Sequence, residues 1–187
     1  MFLRFRAWGL DHVPRSGGAL VASNHQSFFD PTLVGTPLRR QAYYMARRTL
    51  FDVPALGWLI RAVNGFPVDR GGVDRAAVRT AVDILARGHI LVVFPEGTRT
   101  PDGEIKAFRP GFALLASQAG VPIVPAAVHG AYEAWPRQHK LPRLGHVHVA
   151  YGAPVPPPGP GRASRREAAE LVHERILALQ EALREKE

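Results

Sequence analysis

Short apolar runs separated by glycine, proline or polar clusters recur along the chain, and this pattern predicts its elements. Several runs are rich in β-branched residues without polar alternation, which is typical of strands that are covered on both faces. The runs predict strands at residues 19–22, 41–45, 66–68, 90–94, 123–128 and 146–151. Between these runs, apolar residues recur at the spacing of helices. We therefore predict a layered α/β fold, with a mixed β-sheet flanked by helices.

Three helices are predicted from apolar residues spaced three and four apart. The first covers residues 73–87 and stops at Gly88, and the second begins at Pro110 and stops before Gly120. The third covers residues 164–186, where Ser164 and Glu167 have the spacing of a capping box. A proline-rich connector at residues 153–161 precedes it, so we expect residues 1–187 to form one domain that ends in a docking helix.

Composition narrows the classes of function. The chain has no cysteine, which excludes disulfides and thiol catalysis by the protein itself. No apolar run approaches the ~18 residues of a membrane-spanning helix, and the N-terminus does not have the pattern of a signal peptide. We therefore expect a cytoplasmic protein, either soluble or bound to the membrane surface.

Basic residues outnumber acidic residues by 24 to 16, and only three of the basic residues are lysines. Arginine matches the geometry of phosphate groups, so phosphorylated metabolites, anionic lipid, an acidic carrier protein and nucleic acid all fit the charge. The chain contains no recognised nucleic-acid-binding module, and we predict no nucleic-acid partner. An apolar stretch at residues 50–60, flanked by arginines, fits a membrane interface and ordinary core packing equally well.

The first candidate site is the segment NHQSFFD at residues 24–30, directly after a predicted strand. Ligands of open α/β sheets bind at the carboxyl ends of strands, and a tight loop would bring His25 and Asp30 together. An imidazole oriented by a carboxylate can act as a general base toward a hydroxyl group. Taken alone, Asp30 is equally well explained as a helix N-cap before Pro31. Ser23 or Ser27 is a weaker alternative as a nucleophile.

The second candidate site is the segment FPEGTR at residues 94–99, after the most continuous β-run. Gly97 allows a sharp turn, and Arg99 can hold a phosphate through two parallel hydrogen bonds. Lys106 and Arg109 add positive charge nearby. A surface turn with solvated arginines is the better explanation of this segment when it is considered alone. His146 and His148 share a strand face, but a solvated strand edge explains them better than a metal site, and we predict no metal.

These two segments, with GFPVDR at residues 65–70 and VPIVPA at 121–126, resemble the four ordered blocks of the glycerolipid acyltransferase family. The resemblance covers about residues 19–130 and implies a glycerol-3-phosphate acyltransferase-like fold. It also implies that His25 is the base and Asp30 its partner. The residues implied to bind substrate are Arg70, Glu96, Gly97, Thr98, Arg99, Lys106 and Arg109. Arg109 stands where family members commonly have a lysine.

The resemblance implies transfer of a fatty acyl group to the free hydroxyl of 1-acylglycerol-3-phosphate, in phospholipid biosynthesis. Acyl-CoA or acyl carrier protein is the expected co-substrate, and no cofactor is predicted. The expected partners are these substrates, an acyl carrier protein and an anionic membrane. Three alternatives stay open: an acyltransferase for another lyso-lipid or for glycerol phosphate, a thioester hydrolase, and a lipid-phosphate-binding domain without catalytic activity.

Overall fold

A computed structural model describes residues 3–69, 74–136, 138, 139, 141, 143 and 145–186. Within these residues, seven strands form one sheet. The strands are β1 (Leu3–Trp8), β2 (Ala19–Ser23), β3 (Ala42–Arg47), β4 (Gly65–Val68), β5 (Ile90–Val93), β6 (Ile123–His129) and β7 (Gly145–Tyr151). Their spatial order is β1-β7-β6-β2-β5-β3-β4.

The sheet is mixed, as predicted. Neighbouring strands are parallel except β6 and β7, which are antiparallel. Strands β2 to β6 therefore share one direction, while β1 and β7 run the opposite way. The carboxyl ends of β2 and β5, which are hydrogen-bonded neighbours, consequently lie side by side at the same edge of the sheet. The loops that follow these two strands hold both candidate sites.

Helices cover both faces of the sheet. Those in the described residues are α1 (Asp30–Gly35), α2 (Pro54–Ala62), α3 (Arg75–Ala86), α4 (Gly111–Ala119), α5 (Ala131–Ala134) and α6 (Arg162–Arg184). Residues of α3, α4 and α6 pack into one apolar cluster, and residues of α1 and α5 pack into another. None of these helices combines the length and the hydrophobicity that would be needed to cross a membrane.

Residues 19–22 of β2 show why the central strands contain uninterrupted apolar runs. Leu20 and Ala22 belong to the cluster with α3, α4 and α6, whereas Ala19 and Val21 belong to the cluster with α1 and α5. All four side chains are fully buried. A strand buried on both faces has no solvated side, so its sequence cannot alternate between apolar and polar residues.

Strand β1 was not predicted from the sequence. It lies at one edge of the sheet, parallel to β7, and its residues Arg4, Phe5 and Arg6 are exposed. Edge strands often carry charged side chains, which interrupt the apolar pattern that marks a strand in sequence. Because β1 covers β7, the prediction of a solvated edge at His148 was wrong. The imidazole is buried, with its ring centroid 5.1 Å from that of Trp8.

The predicted capping box of the last helix was also wrong. Helix α6 begins at Arg162 and its N-cap is Gly161, without a side-chain cap. The Ser164 hydroxyl instead accepts the backbone N–H of Gly159 at 2.9 Å, which fastens the connector to the first turn of the helix. The other two helices match their predictions closely, although Val73, the predicted start of α3, lies outside the described residues.

Candidate active site

The imidazole of His25 and the carboxylate of Asp30 are in contact, as the sequence predicts. His25 follows β2, and its Nδ1 lies 2.7 Å from Oδ2 of Asp30. The same Oδ2 accepts the backbone N–H groups of Gln26 at 2.5 Å and Ser27 at 2.7 Å. Asp30 is fully buried. The N-cap of α1 is Phe29, so the carboxylate of Asp30 organises the preceding loop and does not cap the helix from outside.

This contact fixes the protonation pattern of the imidazole. A carboxylate oxygen that already accepts two N–H groups requires a donor at Nδ1, which leaves Nε2 as the nitrogen that can accept a proton. The ring also stacks on Phe94, with centroids 4.2 Å apart and planes 21° apart. The His25 side chain is 14% exposed, so it is held between a buried carboxylate and an aromatic face while one part remains open.

Glu96 joins the two candidate segments. Its buried carboxylate accepts the backbone N–H of His25 at 2.8 Å through Oε1 and that of Lys106 at 3.2 Å through Oε2. A third bond joins the segments, from the backbone N–H of Thr100 to the carbonyl of His25 at 2.8 Å. Burial raises the pKa of Glu96, while the two N–H donors partly oppose this shift.

The segment after Glu96 brings arginines to the same edge of the sheet. Gly97 has a φ of 73°, in the left-handed region that favours glycine. A Cβ at that position would lie 3.6 Å from Nε of Arg109, so this guanidinium group lies beside the turn. Arg99 lies over the ring of Phe28 at 4.9 Å. Because Phe28 belongs to the His25 loop, Arg99 lies on the same side of the sheet as the imidazole.

The remaining predicted binding residues fall into two groups. Thr98 is exposed on the turn. Lys106 contributes its backbone N–H to Glu96, but its ammonium group lies 2.6 Å from Oδ2 of Asp102, at the surface. This hydrogen bond is the main cause that lowers the pKa of Asp102 to about 2. Arg70 lies outside the described residues.

Three residues for which the sequence predicted no role position the site, although Asn24 and Phe94 belong to the two candidate segments. The Asn24 side chain donates to the carbonyl of Val128 at 2.9 Å and accepts its N–H at 2.7 Å, so it continues the pairing of β2 with β6. Phe94 supports the imidazole, and Trp135 packs against Phe29 with centroids 4.6 Å apart. The available signal for Asn24 was its position, because it is a polar residue directly between an apolar strand and the histidine.

The two serines considered as nucleophiles are engaged elsewhere. Ser23 and Ser27 are fully buried. The Ser23 hydroxyl donates to the carbonyl of Asn24 at 3.2 Å, and the Ser27 hydroxyl donates to the carbonyl of Trp135 at 3.0 Å. A nucleophilic serine needs its hydroxyl directed to the base. The geometry therefore does not support either serine as the nucleophile.

Comparisons with known proteins agree with this geometry. A family model described as Acyltransferase matches residues 4–129, which is more than half of the chain. A 1-acyl-sn-glycerol-3-phosphate acyltransferase of Bacillus subtilis is 27% identical over 97% of this chain and 85% of its own length. A chloroplastic enzyme of that name from Brassica napus is 31% identical over 79% of this chain. The match spans only 44% of that relative.

A solved structure gives the same result at the level of the fold. The crystal structure of the 1-acyl-sn-glycerophosphate (LPA) acyltransferase from Thermotoga maritima superposes with a TM-score of 0.79 and 29% sequence identity. The match covers 95% of this chain and 72% of that chain. The relatives are O-acyltransferases by name, which confirms the predicted enzyme class, fold class and resemblance. The chain belongs to the Acyltransferase family.

Proposed function

We propose that this acyltransferase transfers a fatty acyl group from a thioester donor to the free hydroxyl of 1-acylglycerol-3-phosphate, as a step of phospholipid biosynthesis. The observation that carries the proposal is the contact of His25 with Asp30 at the carboxyl end of β2, next to the turn that presents Arg99 and Arg109. A base and phosphate-binding groups at one sheet edge suit a substrate that combines a hydroxyl with a phosphate.

In the proposed mechanism, Nε2 of His25 accepts the proton of the acceptor hydroxyl while that oxygen attacks the thioester carbonyl carbon. The tetrahedral intermediate then collapses, the carbon–sulfur bond breaks, and the proton passes from the imidazole to the departing sulfur. Asp30 holds the imidazole in the required tautomer throughout and stabilises its protonated form. General base catalysis of this kind accelerates a reaction roughly 10²–10⁴-fold.

Arg99 and Arg109 supply the positioning part of the proposal. A phosphate held by a guanidinium group fixes the rest of a small acceptor, so its hydroxyl stays near the imidazole. The hydrogen bonds of Glu96 and Thr100 to the His25 backbone keep the distance between the base and the turn constant. Arg70, Gly97 and Thr98 belong to the same proposed substrate-binding set.

The proposed donors are acyl-CoA and acyl carrier protein. Both carry negative charge, and the formal net charge of +8 on this chain favours their approach. The acceptor is a lipid, so we place the enzyme peripherally at the cytoplasmic face of an anionic membrane. The direct mechanism uses side chains of this chain alone, and the proposal includes no cofactor.

The test is an acyl-transfer assay with each donor across 1-acylglycerol-3-phosphate, glycerol phosphate and lysophosphatidylcholine. Both the acylated product and the free thiol are measured. His25→Ala and Asp30→Asn should each lower kcat by about 10²–10⁴-fold, because one removes the base and the other disturbs its tautomer. His146→Ala, which changes an exposed histidine of β7, is the matched control and should retain activity.

Each alternative function predicts a different outcome. Thiol release that does not depend on acceptor would identify a hydrolase. Product formation with only glycerol phosphate or lysophosphatidylcholine would replace the proposed acceptor. Binding of phosphorylated lipid without turnover would identify a binding domain that lacks catalysis. Full activity of a folded His25→Ala protein, checked by circular dichroism, would contradict the proposed base.

A further inference from the structure

Helix α2 presents an apolar stripe to the outside of the molecule. Among its nine residues only Gly57 is buried, although most of the sequence PALGWLIRA is apolar. Ala55, Trp58, Leu59 and Ala62 are all exposed. They occupy positions i, i+3, i+4 and i+7, the spacing that a surface helix normally turns toward the protein core. In α2 this stripe faces away from the core.

The inner contacts of α2 hold this orientation. Gly57 packs on the backbone of Phe51 so closely that a Cβ would lie 2.9 Å from the Phe51 carbonyl oxygen. Ile60 packs against Gly65 at the start of edge strand β4, where a Cβ would lie 2.3 Å from Cγ2 of Ile60. These close contacts are possible because Gly57 and Gly65 have no side chains. Rotation of α2 to bury Trp58 would bring larger side chains into the same space.

The apolar surface extends beyond the helix at both ends. Trp58 is 70% exposed, Val53 54%, Leu59 52% and Val63 49%. We call these four residues, together with Ala55 and Ala62, the α2 face. Contiguous apolar surface of this kind marks sites of interaction with a protein or a membrane. Tryptophan is also enriched at the level of lipid head groups, since its ring is both apolar and polar.

Positive charge adjoins the α2 face. Within residues 53–63 the single charged side chain is Arg61, whose guanidinium lies 4.9 Å over the ring of Phe51. Arg61 also lines a depression of about 390 Å³ together with Arg87, His89 and one acidic residue, Asp83. An apolar face continuous with a depression of net positive charge complements an anionic lipid, with acyl chains against the face and the head group near the arginines.

We propose that the α2 face inserts into the surface of an anionic lipid bilayer. The choice of a bilayer over a protein partner rests on the proposed function, because a lipid acceptor reaches the enzyme from a membrane. The protruding stripe suits a bilayer, since insertion of an apolar helix face between head groups needs no matching groove. The α2 face shares no residue with the His25 loop or with the turn that presents Arg99 and Arg109.

Co-sedimentation with vesicles tests the proposal without any turnover. The vesicles contain phosphatidylcholine alone or with phosphatidylglycerol, and the bound fraction is measured at low and high salt. Wild-type protein should sediment more strongly with phosphatidylglycerol, and added salt should weaken this preference. Trp58→Glu combined with Leu59→Glu should reduce partitioning at least about tenfold, because two apolar side chains no longer enter the interface. Arg61→Gln should reduce the phosphatidylglycerol preference about fivefold.

Leu177→Glu is the matched control for the double variant. Leu177 is 43% exposed on α6, which packs against β6 and β7. Helix α2 contacts β4, and β6 lies four strands from β4 in the sheet, with β7 one strand farther. It should bind vesicles like the wild type. Failure of the wild type to sediment with either vesicle would overturn the proposal. Equal binding by the double variant would place the membrane contact elsewhere and would overturn it as well.

Two further measurements separate this proposal from its rivals. Light scattering without lipid reports mass, and a dimer that the double variant dissociates would assign the α2 face to a second copy instead. An assay with a water-soluble, short-chain acceptor should give equal kcat for the wild type and the double variant. Vesicle binding that follows the expected pattern, without acyl transfer to any acceptor, would refute the proposed function and leave the membrane contact standing.

Discussion

The carboxylate of Glu96 holds the backbone of His25, 71 residues away in sequence, at a distance of 2.8 Å between Oε1 and N. A buried carboxylate thus sets the position of the proposed base through its main chain. The second oxygen accepts the N–H of Lys106, so one side chain satisfies donors from two loops. The residue that the family resemblance assigns to the substrate pocket also acts as a structural link between the two segments.

Glu96→Gln should therefore lower both stability and turnover. A carboxamide offers one acceptor oxygen, so one of the two backbone N–H groups would face an NH₂ donor and lose its partner. An unsatisfied buried donor costs about 1–3 kcal/mol of unfolding free energy. The resulting shift of the His25 loop should lower kcat by about tenfold or more.

Urea denaturation and steady-state kinetics measure the two effects. Glu104→Gln is the control, since this carboxylate is exposed and its side chain lies 4.0 Å from Arg184 at the surface. A Glu96→Gln protein with wild-type stability and kcat would show that the carboxylate does not hold the loop.

The pH dependence of stability should report Glu96 as well. Burial raises its pKa above the ordinary value of 4.5, so the folded protein binds this proton more tightly than the unfolded chain does. The protonated side chain therefore contributes to the free energy of unfolding. This contribution is fully present below pH 4.5 and is lost as the pH rises through the raised pKa. The stability advantage of wild type over Glu96→Gln should consequently shrink as pH rises from about 4 toward neutrality.

Urea titrations of both proteins at several pH values give this difference directly. The comparison between two variants cancels the contributions of other titrating groups that they share. An advantage that grows with rising pH would mean that the two N–H donors outweigh burial, and that Glu96 is preferentially ionised in the folded protein.

Lys106 and Arg109 should differ in their effect on a phosphorylated acceptor. The Lys106 ammonium is engaged by Asp102 at 2.6 Å, whereas the Arg109 guanidinium lies beside the Gly97 turn. A charged hydrogen bond to substrate contributes about 1.5–3 kcal/mol, so Arg109→Gln should lower kcat/KM roughly 10–100-fold, chiefly through a higher KM. Lys106→Gln should change KM less than about threefold, since exposed ion pairs contribute little.

Initial rates across acceptor concentrations separate KM from kcat for both variants. The two proteins serve as controls for each other, because each loses one positive charge three positions apart in sequence. A larger KM increase in Lys106→Gln than in Arg109→Gln would reverse the assignment and make Lys106 the phosphate contact.

The parts of the fold that were predictable are those in which local sequence and tertiary packing agree. Strands β2, β5 and β6 contain uninterrupted apolar runs because both faces are covered, and this pattern is visible in the sequence. The contact of His25 with Asp30 was expected from the family resemblance together with the five-residue separation, although the separation alone fitted a helix N-cap equally well. Each of these features depends on residues that are close in sequence or uniform in character.

The unpredicted parts depend on three-dimensional contacts that the apolar pattern does not reveal. Ser164 has the spacing of a capping box, but its hydroxyl oxygen instead accepts the backbone N–H of Gly159. The stretch at 50–60 would be apolar both in a membrane interface and in the core. Only the contacts of Gly57 and Ile60 show that Trp58 faces outward. The link from Glu96 to His25 joins the loops after β5 and β2, and these two strands are adjacent only after the sheet has formed. Sequence patterns do not contain this information.

Arg40 is a further residue whose role depends on distant partners, and its replacement should destabilise the fold. Its guanidinium donates to the carbonyl of Pro14 at 2.6 Å, to that of Gly17 at 2.5 Å and to that of Gly88. These carbonyls belong to the loop before β2 and to the turn between α3 and β5. One side chain therefore joins the two loops that lead into the central pair of strands.

Arg40→Ala should lower the free energy of unfolding by on the order of 2 kcal/mol, because charged hydrogen bonds contribute about 1.5–3 kcal/mol each and water replaces part of the loss. For a chain of this length the melting temperature should fall by about 4–8 °C. Differential scanning calorimetry measures this shift. Arg39→Ala, which changes the exposed neighbouring arginine, should melt within about 1–2 °C of the wild type, since exposed substitutions rarely exceed about 0.5 kcal/mol. Equal melting temperatures for the two variants would mean that the three carbonyls are satisfied by solvent as well as by Arg40, and that the two loops hold their positions without the guanidinium group.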